Sequence, residues 1–195
     1  MTELSRRDVI RAGAGAAGVL VAGAGFTLYA SEEVAAAGLS ADDVTVSSND
    51  GELTTLTITP DVTVSWDGQE SAVAEVHATW YVKTSSTSET TVGSTPYSIS
   101  VSDPSKSGSV SHTFPEISLL SKNGGALTAS NFTATTDGES TNTDVTLSMD
   151  VTLKDSGGNT IAAVTDVLGP KTYTVTVTNS TSSVSASGTA NTNGS

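Results

Sequence analysis

Apolar residues recur at every second position along most of this chain. In "AVAEVHATWYV" (72–82), Ala72, Ala74, Val76, Ala78, Trp80 and Val82 fall on one face, with Val73, Glu75, His77, Thr79 and Tyr81 on the other. "DVTLSMDVTL" (144–153) is cleaner, with Val145, Leu147, Met149, Val151 and Leu153 alternating with Thr, Ser and Asp. "TYTVTVT" (172–178) repeats the device through Tyr173, Val175 and Val177, as do "YSISV" (97–101) and "SVSHTF" (109–114). A period of two marks strands with one buried face. Threonine on the wet positions favours extended backbone without adding charge.

Turn signals separate these runs: Asn49-Asp50-Gly51, Asp67-Gly68, Asp103-Pro104, Asn123-Gly124-Gly125, Asp137-Gly138, Ser156-Gly157-Gly158-Asn159 and Gly169-Pro170. Asp-Gly and Asn-Gly supply the positive φ that tight hairpins need. The pattern predicts eight or nine short strands in an all-β, antiparallel β-sandwich, Ig-like or jelly-roll in topology. No helical stripe of useful length follows Gly38, although "PEISLLSKNGG" (115–125) has room for a single helical turn. Strands 73–82 and 144–153 are the expected core, with Trp80 a main packing residue.

The first residues follow another rule. Ser5, Arg6, Arg7, Val9, Ile10 and Arg11 precede an uncharged stretch, 12–30, built from Gly and Ala with Val19, Leu20, Val21, Phe26 and Leu28. A basic segment, an apolar run and then small residues make the layout of an export signal. The order Ser-Arg-Arg-x-Val-Ile resembles the twin-arginine motif, departing from it at the acidic Asp8; that resemblance implies export of an already folded protein, with Arg6 and Arg7 as the export motif. Stretch 12–30 is also long enough to cross a bilayer as a signal or anchor helix. Ala35-Ala36-Ala37 before Gly38 fits a cleavage site after Ala37, and Leu28-Tyr29-Ala30 fits less well. The alternative is a single retained anchor with the arginines in the cytoplasm.

The expected organisation is therefore an export signal or membrane anchor over 1–37, a linker over 38–51, the sandwich over 52–180 and a flexible polar tail over 181–195. The expected location is secreted or at the cell surface.

Charge narrows the partners. The chain carries 21 acids against 8 bases, a net charge of −13, and beyond residue 37 its only bases are Lys83, Lys106, Lys122, Lys154 and Lys171. Such a surface repels nucleic acid and anionic membranes, which leaves the N-terminal segment as the only expected membrane contact. The Asp-rich, Lys-poor composition resembles that of proteins from salt-adapted microbes, especially haloarchaea. With no cysteine, thiol chemistry and a lipidated-cysteine anchor are excluded.

Candidate chemistry is sparse. His77 lies on the polar face beside Glu75, and His112 sits in another strand; a metal-dependent hydrolase would need them to converge with carboxylates. No Gly-x-Ser-x-Gly elbow occurs, and no catalytic residue, metal or cofactor is assigned. The acidic turns at Asp50, Asp67 and Asp137 offer carboxylates and carbonyls to Ca²⁺ without the spacing of a helix-loop-helix calcium loop. Asn131-Phe132-Thr133 and Asn179-Ser180-Thr181 are candidate N-glycan acceptors, Asn179 the better placed at a strand end. The leading expectation is a non-enzymatic structural protein whose partners are itself, as a homo-oligomer or filament, or other envelope components. Stretch 52–66, "ELTTLTITPDVTVSW", is the candidate donor strand. The other class is a surface binding module, an adhesin or carbohydrate-binding sandwich assisted by calcium.

Overall fold

The computed structural model describes residues 33–39, 41–48, 50–180 and 187–190. Twelve strands run along them: β1 (Glu33–Ala37), β2 (Val44–Ser48), β3 (Thr55–Ile58), β4 (Asp61–Asp67), β5 (Val73–Thr84), β6 (Thr90–Ser105), β7 (Gly108–Thr113), β8 (Ile117–Ser118), β9 (Ser140–Lys154), β10 (Thr160–Val164), β11 (Lys171–Asn179) and β12 (Ser187–Ala190). Single 3-10 turns occupy Ser121–Asn123, within the stretch expected to hold one helical turn, and Ala129–Phe132. Arg6, Arg7 and the expected signal or anchor helix lie outside the described residues.

The strands form an all-β sandwich. One sheet has the order β1-β4-β7, the larger one β2-β11-β9-β5-β6, and β10 pairs with β9 beyond the end of β11. β2 runs parallel to β11, whereas the other neighbours in these two sheets are antiparallel. Of the two topologies expected, this is the Ig-like one: strands A, B and E lie in one sheet and A′, G, F, C and C′ in the other. A third small sheet, β12-β3-β8, extends the body.

The alternation does what the sequence promised. Val145, Leu147, Met149, Val151 and Leu153 of β9 are all buried, and Tyr173, Val175 and Val177 of β11 join them. Trp80 is fully buried and meets Phe114, which follows β7, edge to face at 5.3 Å. Phe114 makes the same kind of contact with Tyr97 at 5.2 Å and His112 at 4.8 Å. A T-shaped pair places positive ring edges on a negative ring face, so this cluster ties the β1-β4-β7 sheet to the six-stranded one with a geometric preference as well as buried area.

Four sequence expectations are corrected. The alternation put Val73 outside, but the β5–β6 register shifts between Val73 and Glu75, and the bulge turns Val73 inward, fully buried. Residues 38–51 are no linker: Leu39 is buried and Val44 and Val46 point inward from β2. That strand gains its partner from β11, far along the chain, which no local pattern announces. Stretch 52–66 is not one free strand. Pro60, which cannot donate to a ladder, lies between β3 and β4, and β4 is the central strand of its sheet, already paired on both sides. The tail is not wholly loose either, since residues 187–190 pair parallel with β3.

Candidate functional site

The outer face of the large sheet is made by the polar half of the same alternation. Its threonines and serines face one another across strands: Ser140 and Thr178 hydroxyls are 2.7 Å apart, Thr146 and Thr172 3.0 Å, and Thr174 donates to Asp144 at 2.9 Å. Each hydroxyl both donates and accepts, so such ladders satisfy one another without charge.

Around Tyr81 this surface gathers ionisable groups. Tyr81 on β5 is in register with Ser148 on β9 and Thr91 on β6. The Ser148 hydroxyl, itself buried, donates to Glu89 at 2.7 Å. Two residue pairs along, on the same face, Asp150 accepts the backbone N–H of Asp166 at 2.9 Å. Asp166 holds φ at 52°, a left-handed conformation that Asp tolerates better than most residues. Partial burial, and then the neighbouring Glu89 and Asp150 carboxylates, push the Asp166 carboxyl above its ordinary range, with Lys83 and Lys171 opposing. Burial, followed by the charge of Asp150 and a hydrogen bond to it, raises the Tyr81 phenol. A phenol ring edged by carboxylates and hydroxyls can stack on a sugar face and accept hydrogen bonds from its hydroxyls.

The histidines do not meet. His77 Nε2 lies 2.9 Å from Glu75 Oε2 on the outer face of β5, while Ser98 donates to the other oxygen of the same carboxylate. The Ser98 bond first, and His77 second, hold the Glu75 carboxyl below its ordinary range. His112 sits on β7, in the other sheet, against Phe114. Ser98 thus donates to Glu75 and not to an imidazole. Among the described residues, no three of His, Asp and Glu converge as a metal-binding group.

The carboxylates of Asp50 and Asp155 cap their own turns. Asp50 accepts from Ser48 and from the Glu52 N–H at 3.0 Å. Asp155, in the β9–β10 hairpin, takes the N–H groups of Gly157 and Asn159, each at 2.9 Å. At Asp67-Gly68, the Gly68 N–H donates to Ser107, and the Gly138 N–H beside Asp137 donates to the Asn179 carbonyl. These are the bonds of closed turns.

The two glycosylation candidates differ in burial. Asn179 is the last residue of β11, only 5% exposed, with its Oδ1 buried and unpartnered. Asn131 is half-buried at the end of a surface turn, where its Oδ1 accepts from the N–H and hydroxyl of Thr128. Ala37 is the last residue of β1, opposite Thr63.

The Tyr81 surface was not singled out from sequence. Glu89, the lone acid of "TSSTSETT", and Asp166, in a turn, are far from Asp150 in the chain, and only the pairing of β5, β6 and β9 brings them together. No known protein family, curated protein or solved structure matches the chain.

Proposed function

We propose that this chain is an exported, non-enzymatic structural protein of the cell surface or extracellular space, and that its sandwich associates with further copies through sheet edges. The basic segment and apolar run at the N-terminus support export, and the acidic, hydroxyl-covered outer face suits a hydrated exterior. The observation that carries assembly is strand β7, "GSVSHT". It carries no proline, Lys, Arg, Asp or Glu, and among the described strands it pairs only with β4. Proteins guard such edges with charges and prolines; β6, the edge of the large sheet, carries Pro96 and Pro104, whereas β7 carries neither device. Placing lysines at the exposed Ser109 and Ser111 (S109K with S111K) adds that guard. Wild-type protein is expected to sediment as oligomers or filaments in molar salt, with the double variant monomeric. A wild-type chain that stays monomeric at every salt concentration rejects assembly.

The second reading, a carbohydrate-binding surface, is favoured by Tyr81 beside Asp150, Asp166 and Glu89. Co-sedimentation with insoluble polysaccharides, with and without Ca²⁺, tests it. Retention that Tyr81→Ala abolishes supports binding, and equal retention of both proteins rejects this surface.

A further inference from the structure

We propose that the exported form keeps residues 33–37, and that "AAAG" at 35–38 is a structural seam rather than a processing signal, so that any leader removal falls upstream of Glu33. This rests on the export reading. Five consecutive residues of β1 pair with β4, from Glu33 opposite Asp67 to Ala37 opposite Thr63. Val34 and Ala36 point into the core at 4% and 7% exposure, and Leu39 beyond the seam is buried at 7%.

Gly38 explains the residue type that makes the run look cleavable. It holds φ at +109°, which L side chains rarely adopt, and a Cβ there would stand 3.0 Å from the Asp61 carbonyl oxygen. The chain leaves β1 at this glycine and passes to Leu39 and then to β2 in the other sheet. A glycine at 38 and a small buried residue at Ala36 are therefore what the fold uses at this corner.

A peptidase needs its substrate extended and unpaired across the scissile bond. The Ala37–Gly38 bond joins a strand in a ladder to a glycine pressed against β4, so reaching it means stripping β1 from the sheet. Stripping it would also leave β4, the central strand, as an unpaired edge. A chain exported after folding, as the twin-arginine resemblance implies, has β1 in place before any peptidase meets it. Between the apolar run ending at Ala30 and Glu33 the sequence offers only Ser31 and Glu32.

The test is mass-spectrometric mapping of the N-terminus of the full-length gene product recovered from medium and from membranes, for wild type and for Ala37→Leu, which removes the small residue next to the bond. The expected N-terminus lies at or before Glu33, the same in both proteins. A wild-type chain starting at Gly38, or a precursor that accumulates only in Ala37→Leu, overturns the proposal. Should the chain stay in the cytosol, the export reading fails, and the seam is judged by Ala36→Asp in the full chain. Burying that carboxylate is expected to lower the melting temperature by about 5 °C or more. An unchanged melt shows that β1 is dispensable and overturns the seam.

Discussion

Val34 on β1 stands directly opposite Trp66 on β4, and both side chains are buried. The Trp66 indole N–H also donates to the Ser105 carbonyl at the end of β6, at 3.1 Å. One tryptophan therefore joins β1, the central strand β4 of the β1-β4-β7 sheet and the crossover from the six-stranded sheet. Trp66→Ala removes a large core side chain and leaves the Ser105 carbonyl without this donor, and is expected to cost about 3–5 kcal/mol. Trp66→Phe keeps most of the packing and is expected to lose far less, of order 1–2 kcal/mol. Urea unfolding curves for the two variants separate these outcomes.

Gly51 bears the second strong backbone requirement. It holds φ at +67°, and a Cβ built on it would sit 1.8 Å from the Ala134 carbonyl oxygen, whose residue in turn donates its N–H to the Gly51 carbonyl at 2.9 Å. Gly51→Ala must push apart the β2–β3 turn and the segment before β9, and is expected to cost about 1–3 kcal/mol. Asp50→Ala, one residue away and exposed, is expected to cost less, which chemical denaturation of the pair checks.

Titration of two groups should act in opposite directions. The Asp166 carboxyl is raised in the folded state, so its favourable contribution is complete below the unfolded value near 3.8 and is lost as pH rises through the folded pKa. Asp166→Asn, which keeps a residue tolerant of φ 52°, is therefore expected to raise stability slightly at pH 7 and to make no difference at pH 3. Hydrogen bonds from Asn159 and from backbone N–H groups hold Asp155 below 3.8, so its contribution is present above that value and fades as pH falls through the lowered pKa. Asp155→Ala is expected to destabilise at pH 7 and progressively less in acid. Thermal melts between pH 3 and 7 distinguish the two signs.

Glycan attachment follows burial. In a chain exported folded, Asn131 is half-buried whereas Asn179, at the end of β11, is only 5% exposed. Glycopeptide mapping of the native protein is expected to find any N-glycan at Asn131 and none at Asn179. Occupancy at Asn179 would mean that modification precedes folding.

The strands with long, strictly alternating sequences were legible because burial on one face leaves a period of two, as in β9 and β11. What escaped the pattern has physical causes. The β5 bulge flips Val73 without any change in composition, because a register slip depends on the facing strand. β2 has just Val44 and Val46 to announce it, and β12 draws on backbone pairing with β3, to which a run of Ser, Gly, Thr and Ala gives no apolar signal. Ala35-Ala36-Ala37-Gly38 reads two ways in the sequence, because small residues suit both a peptidase cleft and a tight corner; the β1–β4 register adds that residues 35–37 are paired in a ladder. The surface around Tyr81 was hidden because its carboxylates come from separate strands and loops.

The central claim is that this sandwich faces the cell exterior, and its lysines offer the most direct test. All five lie on the described sandwich, with Lys106 and Lys122 exposed in its turns, and none lies in the N-terminal segment. Intact cells treated with a membrane-impermeant amine reagent are expected to yield this protein modified at Lys106 and Lys122 before lysis. Modification that appears only after the cells are broken would place the domain inside and contradict the account.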